Sequence, residues 1–198
     1  PMPSPQGLNF GDGTAQYIFD GKQPTTENFG LGRTDYQISA SDSLFARFTG
    51  SGSERTQVQN YPDFQTILFL GTKLFTISET HIFSPRLLNT FHFSFNREFA
   101  GERGVYPEFP VALLSVPDQP IPPGLLPGSS ITPYEGFSKP VDTYASNRFN
   151  YQDDVNLTLN GHTLQFGGMV ERIRLNENQP NRPFGEWSFS NLEAFLGG

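Results

Sequence analysis

The sequence predicts an all-β fold: an antiparallel meander forming part of a large transmembrane β-barrel, with short turns at one end and long loops at the other. Three observations carry that prediction. The first is the stretch from Leu87 to Phe99, where Phe91, Phe93, Phe95 and Phe99 fall on one face and Thr90, His92, Ser94, Asn96 and Glu98 on the other. A period of two is the signature of an extended strand with two unlike faces, and ~9–11 such residues suit a tilted strand crossing a bilayer. The second is the alternation of connection lengths, short at 39–43, 84–86 and 160–161, long at 50–66 and 100–146, and medium at 176–184. In an antiparallel meander alternate connections lie at the same end, so tight turns gather at one end and long loops at the other, as in outer-membrane barrels. The third is composition: 35% hydrophobic and 17% charged, with Gly 20, Pro 17 and Phe 20, which favours strands and turns over helices. On pattern alone, a soluble β-sandwich or propeller is the competing architecture.

Composition also excludes several functions. No segment holds ~18 consecutive apolar residues, so no spanning helix is expected, and a barrel needs none. The net charge of -7 argues against nucleic acid, whose phosphates attract basic surfaces. With Cys 0 there are no disulfides, thiolate metal sites or cysteine nucleophiles. The opening Pro-Met-Pro-Ser-Pro has neither a basic nor an apolar leader region, so an exported protein is expected to contain this chain as an internal piece.

Taken in order, residues 1–27 read as an irregular lead-in and 28–198 as a partial barrel. A first strand is expected over about 28–38, with Tyr36 and Ile38 opposed to Arg33, Asp35 and Gln37. Ala40 to Ser43 turns the chain. A second strand over 44–49 sets Leu44, Ala46 and Phe48 against Arg47 and Thr49, with Phe45 out of pattern. The third, from about Ile67 or Lys73 to Phe83, is mixed, since Glu79 and His81 share a face with Ile77 and Phe83. Ser84-Pro85-Arg86 is a tight turn, where Pro fixes φ and gives up a ladder donor, and 87–99 follows. The loop 100–146 carries Pro107, Pro110, Pro117, Pro120, Pro122, Pro123, Pro127, Pro133 and Pro140; loops beyond ~12–15 residues usually carry function. Strands at 149–159 and 162–175 flank Asn160-Gly161, the strongest short hairpin signal. A last strand over 185–190 alternates Trp187 and Phe189 with serines, and a helix follows Asn191 as cap.

Particular segments then resemble a known family. Phe29 to Ser39 (Phe-Gly-Leu-Gly-Arg-Thr-Asp-Tyr-Gln-Ile-Ser) with Asp42 to Phe48 (Asp-Ser-Leu-Phe-Ala-Arg-Phe) is similar to the first strong barrel hairpin of TonB-dependent transporters, the Oar-like group being the closest branch. Ser84 to Asn89 with Phe95-Asn96-Arg97 resembles that group's next hairpin. Gln152-Asp153-Asp154-Val155 with Gly161 to Gly168 resembles its most recognisable barrel element, and Phe189 to Gly197 the segment after it. The resemblance covers roughly 28–50, 73–99 and 147–198. It implies an outer-membrane barrel of about 22 strands around a plug, taking up scarce nutrients with inner-membrane energy. Neither a plug nor a TonB-contacting box is present, and six or seven strands cannot close such a barrel, so a fragment is expected.

No catalytic, cofactor-binding or metal-binding residue is expected, and no enzyme. His81, His92 and His162 are the only histidines and no two share a ligand spacing. Asp153 and Asp154 point to opposite faces, so they cannot act as a facing acid/base pair; Asp154 belongs to the lumen and Asp153 to an interface or a neighbour. Tyr36, Phe45, Phe91, Tyr151 and Trp187 are expected as girdle or lipid-facing aromatics, and Arg33, Arg47, Arg97, Glu98, Asp154 and Glu171 as lumen-lining charges. Phe91, Phe93, Phe95, Leu157, Leu159, Leu164 and Phe166 are expected to meet lipid. The expected partners are membrane lipid, the protein's own plug, TonB only through that plug, and a small-molecule, siderophore or oligosaccharide substrate met by the loop 100–146. The alternative is a soluble all-β binding or adhesion module at the cell surface, with glycans as one ligand class.

Overall fold

The computed structural model describes residues 4–108, 110, 123–128, 131–133 and 141–197. Pro117, Pro120, Pro122 and Pro140 of the proline-rich loop, together with Lys139, lie outside these residues. Six long strands form one antiparallel sheet: β1 (Thr25–Gln37), β2 (Asp42–Val58), β3 (Gln65–Ser84), β4 (Leu87–Val105), β6 (Val141–Leu159) and β7 (His162–Asn178), paired in the order β1-β2-β3-β4-β6-β7. Two three-residue strands, β5 (Gly124–Leu126) and β8 (Glu186–Ser188), pair in parallel as a separate small sheet, and α1 (Leu192–Gly197) closes the described chain.

The turns at one end are built from the residues expected there. Asn160 and Gly161 take φ of 46° and 83°, the left-handed pair that matches the twist of a two-residue hairpin. At 38–41 the Ser39 hydroxyl accepts the amides of Ser41 and Asp42 at 3.0 and 3.1 Å. Pro85 and Arg86 join β3 to β4, with a register shift between Ile82 and Ser84. At the opposite end six residues link Val58 to Gln65, and thirty-five separate Val105 from Val141. The lead-in and the segment after Asn178 adjoin this same end, because Thr25 pairs with Arg55 and Asn178 with Thr143.

Every main strand runs further than its alternation suggests, chiefly toward the long loops. Expected strands of 44–49, 73–83, 87–99 and 149–159 are observed as β2, β3, β4 and β6, and the expected loop 50–66 shrinks to 59–64. Residues 185–190 do not join the main sheet; only Glu186–Ser188 is extended, and its partner is β5. Asn191 caps α1 as expected, its Oδ1 accepting the Ala194 amide at 2.8 Å.

The register sorts side chains onto two faces. One carries rows such as Ala46–Ile77–Phe93–Tyr151–Val170 and Phe48–Phe75–Phe95–Phe149. Its rings meet in sequence across the strands: Phe75–Phe93 at 6.5 Å, Phe93–Tyr151 at 5.0 Å and Phe95–Phe149 at 5.0 Å between centroids. Gly101 belongs here too. A Cβ on it would stand 2.6 Å from the Phe69 ring, so the glycine leaves the room that its cross-strand partner's ring fills.

The other face is hydrogen-bonded. Ser51 meets Thr72 at 2.6 Å, Thr80 meets Thr90 at 3.4 Å, and Gln152 donates to Asp154 at 2.6 Å. Ser78, Asp142 and Ser146, all buried, lie on this face, which marks it as the more enclosed side. Toward the long loops Leu70, Leu74, Ile173 and Leu175 interrupt its polarity.

A soluble domain buries apolar faces between layers. Here, among the described residues, the sheet is a single layer and only Phe64 and Phe184 are buried hydrophobic side chains, both outside the strands. On the aromatic face Phe166 is 56% and Val170 68% exposed. Among the described residues no second sheet covers them, as a sandwich would require.

Candidate functional site

The buried hydrophobic side chains sit in a cap at the long-loop end. Between β2 and β3, Phe64 folds inward, its amide donating to Tyr61 O at 3.0 Å and its ring edge-on to Tyr61 at 6.2 Å. Tyr61 hydroxyl donates to Thr132 O at 2.8 Å and Asn60 Nδ2 to Pro133 O at 3.1 Å, which ties this short loop to the long one. The long loop is tied in turn to the C-terminal segment. Gly124 donates to Gly185 O at 3.0 Å and Phe189 to Leu126 O at 2.9 Å. Pro127 is completely buried in the same place. Three connections remote in sequence thus form one structure over the rim.

The lead-in joins them. Thr56 donates to Pro24 O at 3.0 Å and Arg55 to Gln23 Oε1 at 2.7 Å. Within it Thr14 donates from amide and hydroxyl to Asp12, which holds that carboxyl below its ordinary value. Partial burial pushes the Tyr106 phenol up, where the chain leaves β4.

Below the cap, the polar face carries the charges of the wall. Arg33 makes a two-pronged pair with Asp35 at 2.6 and 2.8 Å and lies 4.6 Å over the Phe45 ring. Arg148 pairs with Glu171 at 3.0 Å. Arg47, Glu98 and Asp154 share this face, and Phe45 belongs to it as well, stacked under a guanidinium rather than in an outer girdle. Arg97 is the reverse case. Its register partners are Lys73 and Asn147, which places it among the aromatics and not with the lumen charges. Trp187 is in the cap's small sheet, away from the wall; Tyr36, Phe91 and Tyr151 do lie on the aromatic face.

A single long-stranded layer, aromatic on one side and hydrogen-bonded on the other, is the geometry of a barrel wall. The family model described as outer membrane beta barrel domain matches residues 1–197, nearly the whole chain. The chain belongs to the outer membrane beta barrel domain family. No curated protein and no solved structure matches it significantly.

In outer-membrane barrels the apolar strand faces meet lipid, the lumen is polar, short turns face the periplasm and long loops the exterior; the aromatic face, the hydrogen-bonded face, the turns and the cap of this chain match that division. The lengths agree. Twenty residues of β3 at ~3.3 Å each span ~65 Å, and tilted by ~40° rise ~50 Å, about twice the ~25 Å apolar band. The surplus projects on the loop side. The apolar band also crosses the strands obliquely: Asp42 and His81 occupy a row in which β6 and β7 carry Val155 and Phe166, as tilted strands in a horizontal membrane require.

At the short-turn edge of the aromatic face the sheet brings together Asp42, Glu79 and His81, ligand atoms within 4.8 Å of one another. Asp42 and His81 already bond each other. Two carboxylates and an imidazole are donors that suit a divalent cation, and equally a satisfied ion pair. Counting histidines alone missed this cluster; the legible signal was Glu79 and His81 on one strand face opposite Asp42. Asp153 and Asp154 do diverge, Asn89 donating to Asp153 at 2.7 Å on the lipid face and Gln152 to Asp154 in the lumen. His92 faces the lumen across from Ser78, and His162 opens β7 directly after the hairpin turn.

Proposed function

We propose that this segment supplies wall strands and outer loops to a TonB-dependent outer-membrane receptor of the Oar-like kind, a transporter for active nutrient uptake. The observation that carries the reading is the cap: long loops from separate hairpins are tied together over one rim, where a receptor meets its ligand. The ordered resemblance of three barrel segments supports it. In this reading the lumen face, with Arg33, Arg47 and the Arg148–Glu171 pair, meets the protein's own plug. TonB acts only through that plug, and the substrate is a small molecule, a siderophore or an oligosaccharide. The wall holds no cofactor and performs no catalysis.

Two substrate-independent measurements on the whole protein test this. A plugged receptor should be silent in planar lipid bilayers and should retain the periplasmic domain of TonB in detergent. Steady ohmic conductance together with no TonB retention is the behaviour of an open pore and would overturn the reading.

A further inference from the structure

Next to the Phe75–Phe95–Phe149 row, on the same face and toward the cap, lies one row of the sheet reading Lys73–Arg97–Asn147–Arg174, with Phe69 and Phe99 stacked beyond it at 5.7 Å. Arg172 stands one row nearer the aromatics, beside Phe149. With ~4.8 Å between strands the row places three cations within ~15 Å. Arg97 donates to Asn147 Oδ1 at 3.0 Å; among the described residues none of these cations is paired with a carboxylate. The flanking acids of this face are Glu54, already 3.7 Å from Arg103, and Glu79, six residues further down β3. Arg97, Asn147, Arg174 and Asn176 share a shallow hollow with Phe95 and Phe149.

Cations are costly in an apolar setting unless they reach counter-charge. These lie where the run of rings from Phe75 to Phe149 gives way to charge, with only Phe69 and Phe99 stacked beyond, a level at which an outer membrane offers headgroups as counter-charge. Guanidinium and ammonium groups there recognise phosphate, and the rings beneath can accept acyl chains. We propose that Lys73, Arg97, Arg172 and Arg174 form a binding site for the phosphorylated headgroup of an outer-leaflet glycolipid, with Asn147 holding Arg97 in place. The site rests on the outer-membrane location alone and is independent of what the protein transports.

The test uses the whole protein reconstituted with hexa-acylated lipid A as probe, bound lipid being read by native mass spectrometry. Diphosphorylated lipid A should bind at least about tenfold more tightly than its fully dephosphorylated form. The triple variant Lys73→Gln, Arg97→Gln, Arg174→Gln should lose that preference while keeping heat-modifiable barrel migration, and Arg97→Lys should keep most of it. Equal retention of both lipids by the unaltered protein would overturn the proposal, and that comparison needs no variant to fold. Displacement of lipid A by inorganic phosphate alone at equal concentration would also overturn it, reducing the row to a general anion site.

Discussion

Phe93→Arg should block assembly of the barrel or lower its stability steeply, whereas Ser94→Arg, one residue along the same strand, should be tolerated. Phe93 lies mid-band on the lipid face, between Ile77 and Tyr151. A guanidinium at the middle of the bilayer costs ~2–4 kcal/mol, and the lost ring contacts with Phe75 and Tyr151 add ~0.5–1.5 kcal/mol each. Ser94 faces the lumen opposite Thr76 and Asn150, where water or a polar partner solvates a cation and the change should stay within ~1 kcal/mol. Urea midpoints of the whole protein in lipid vesicles measure both. Equal destabilisation by the two substitutions would mean that the polar face is enclosed as tightly as the aromatic one, contrary to a lumen lined by water or a polar partner.

Gly128→Val should dismantle the cap and leave the wall intact. Gly128 has φ of +102°, and a Cβ there would stand 2.6 Å from Cα of Asn191 and 2.7 Å from its carbonyl carbon. Both the backbone conformation and the contact forbid a side chain, and the atoms struck are backbone, which cannot swing aside. Strain of ~1–3 kcal/mol plus displacement of the residue capping α1 exceeds what two three-residue strands hold together. Limited proteolysis should then cut within 123–128 or 180–197 while heat-modifiable migration is unchanged. Protection equal to the unaltered protein would show that the cap does not depend on this approach.

The sequence made the membrane-level part of the wall legible and little above it. Between Leu87 and Phe99, or Phe149 and Leu159, the alternation is strict, as a barrel wall between lipid and a polar lumen requires. In 50–58, 65–72, 100–105 and 141–148 that requirement lapses, because the strands there stand above the apolar band with no lipid to match. Leu68, Phe69 and Leu70 run together, and Gly50 to Ser53 carry no apolar residue, yet all are paired in the ladder. Period-two reasoning therefore stopped most strands short of the long-loop end. The cap was illegible for a different reason: its Tyr61–Thr132 and Leu126–Phe189 bonds join residues some sixty to seventy positions apart. Arg97 was placed in the lumen because a charge suggested water, although its odd position beside Phe95 and Phe99 already put it on the other face.

The most direct test of the account is an accessibility scan along β4 of the whole protein in its membrane. Single cysteines at residues 91 to 96, in a segment whose native sequence has Cys 0, would be spin-labelled and their collision rates with oxygen and with a polar nickel chelate compared. Labels at 91, 93 and 95 should favour oxygen, which dissolves in lipid. Labels at 92, 94 and 96 should favour the chelate or be shielded from both. A profile without that two-residue alternation, or with the chelate reaching 93 and 95, would contradict the assignment of the aromatic face to lipid.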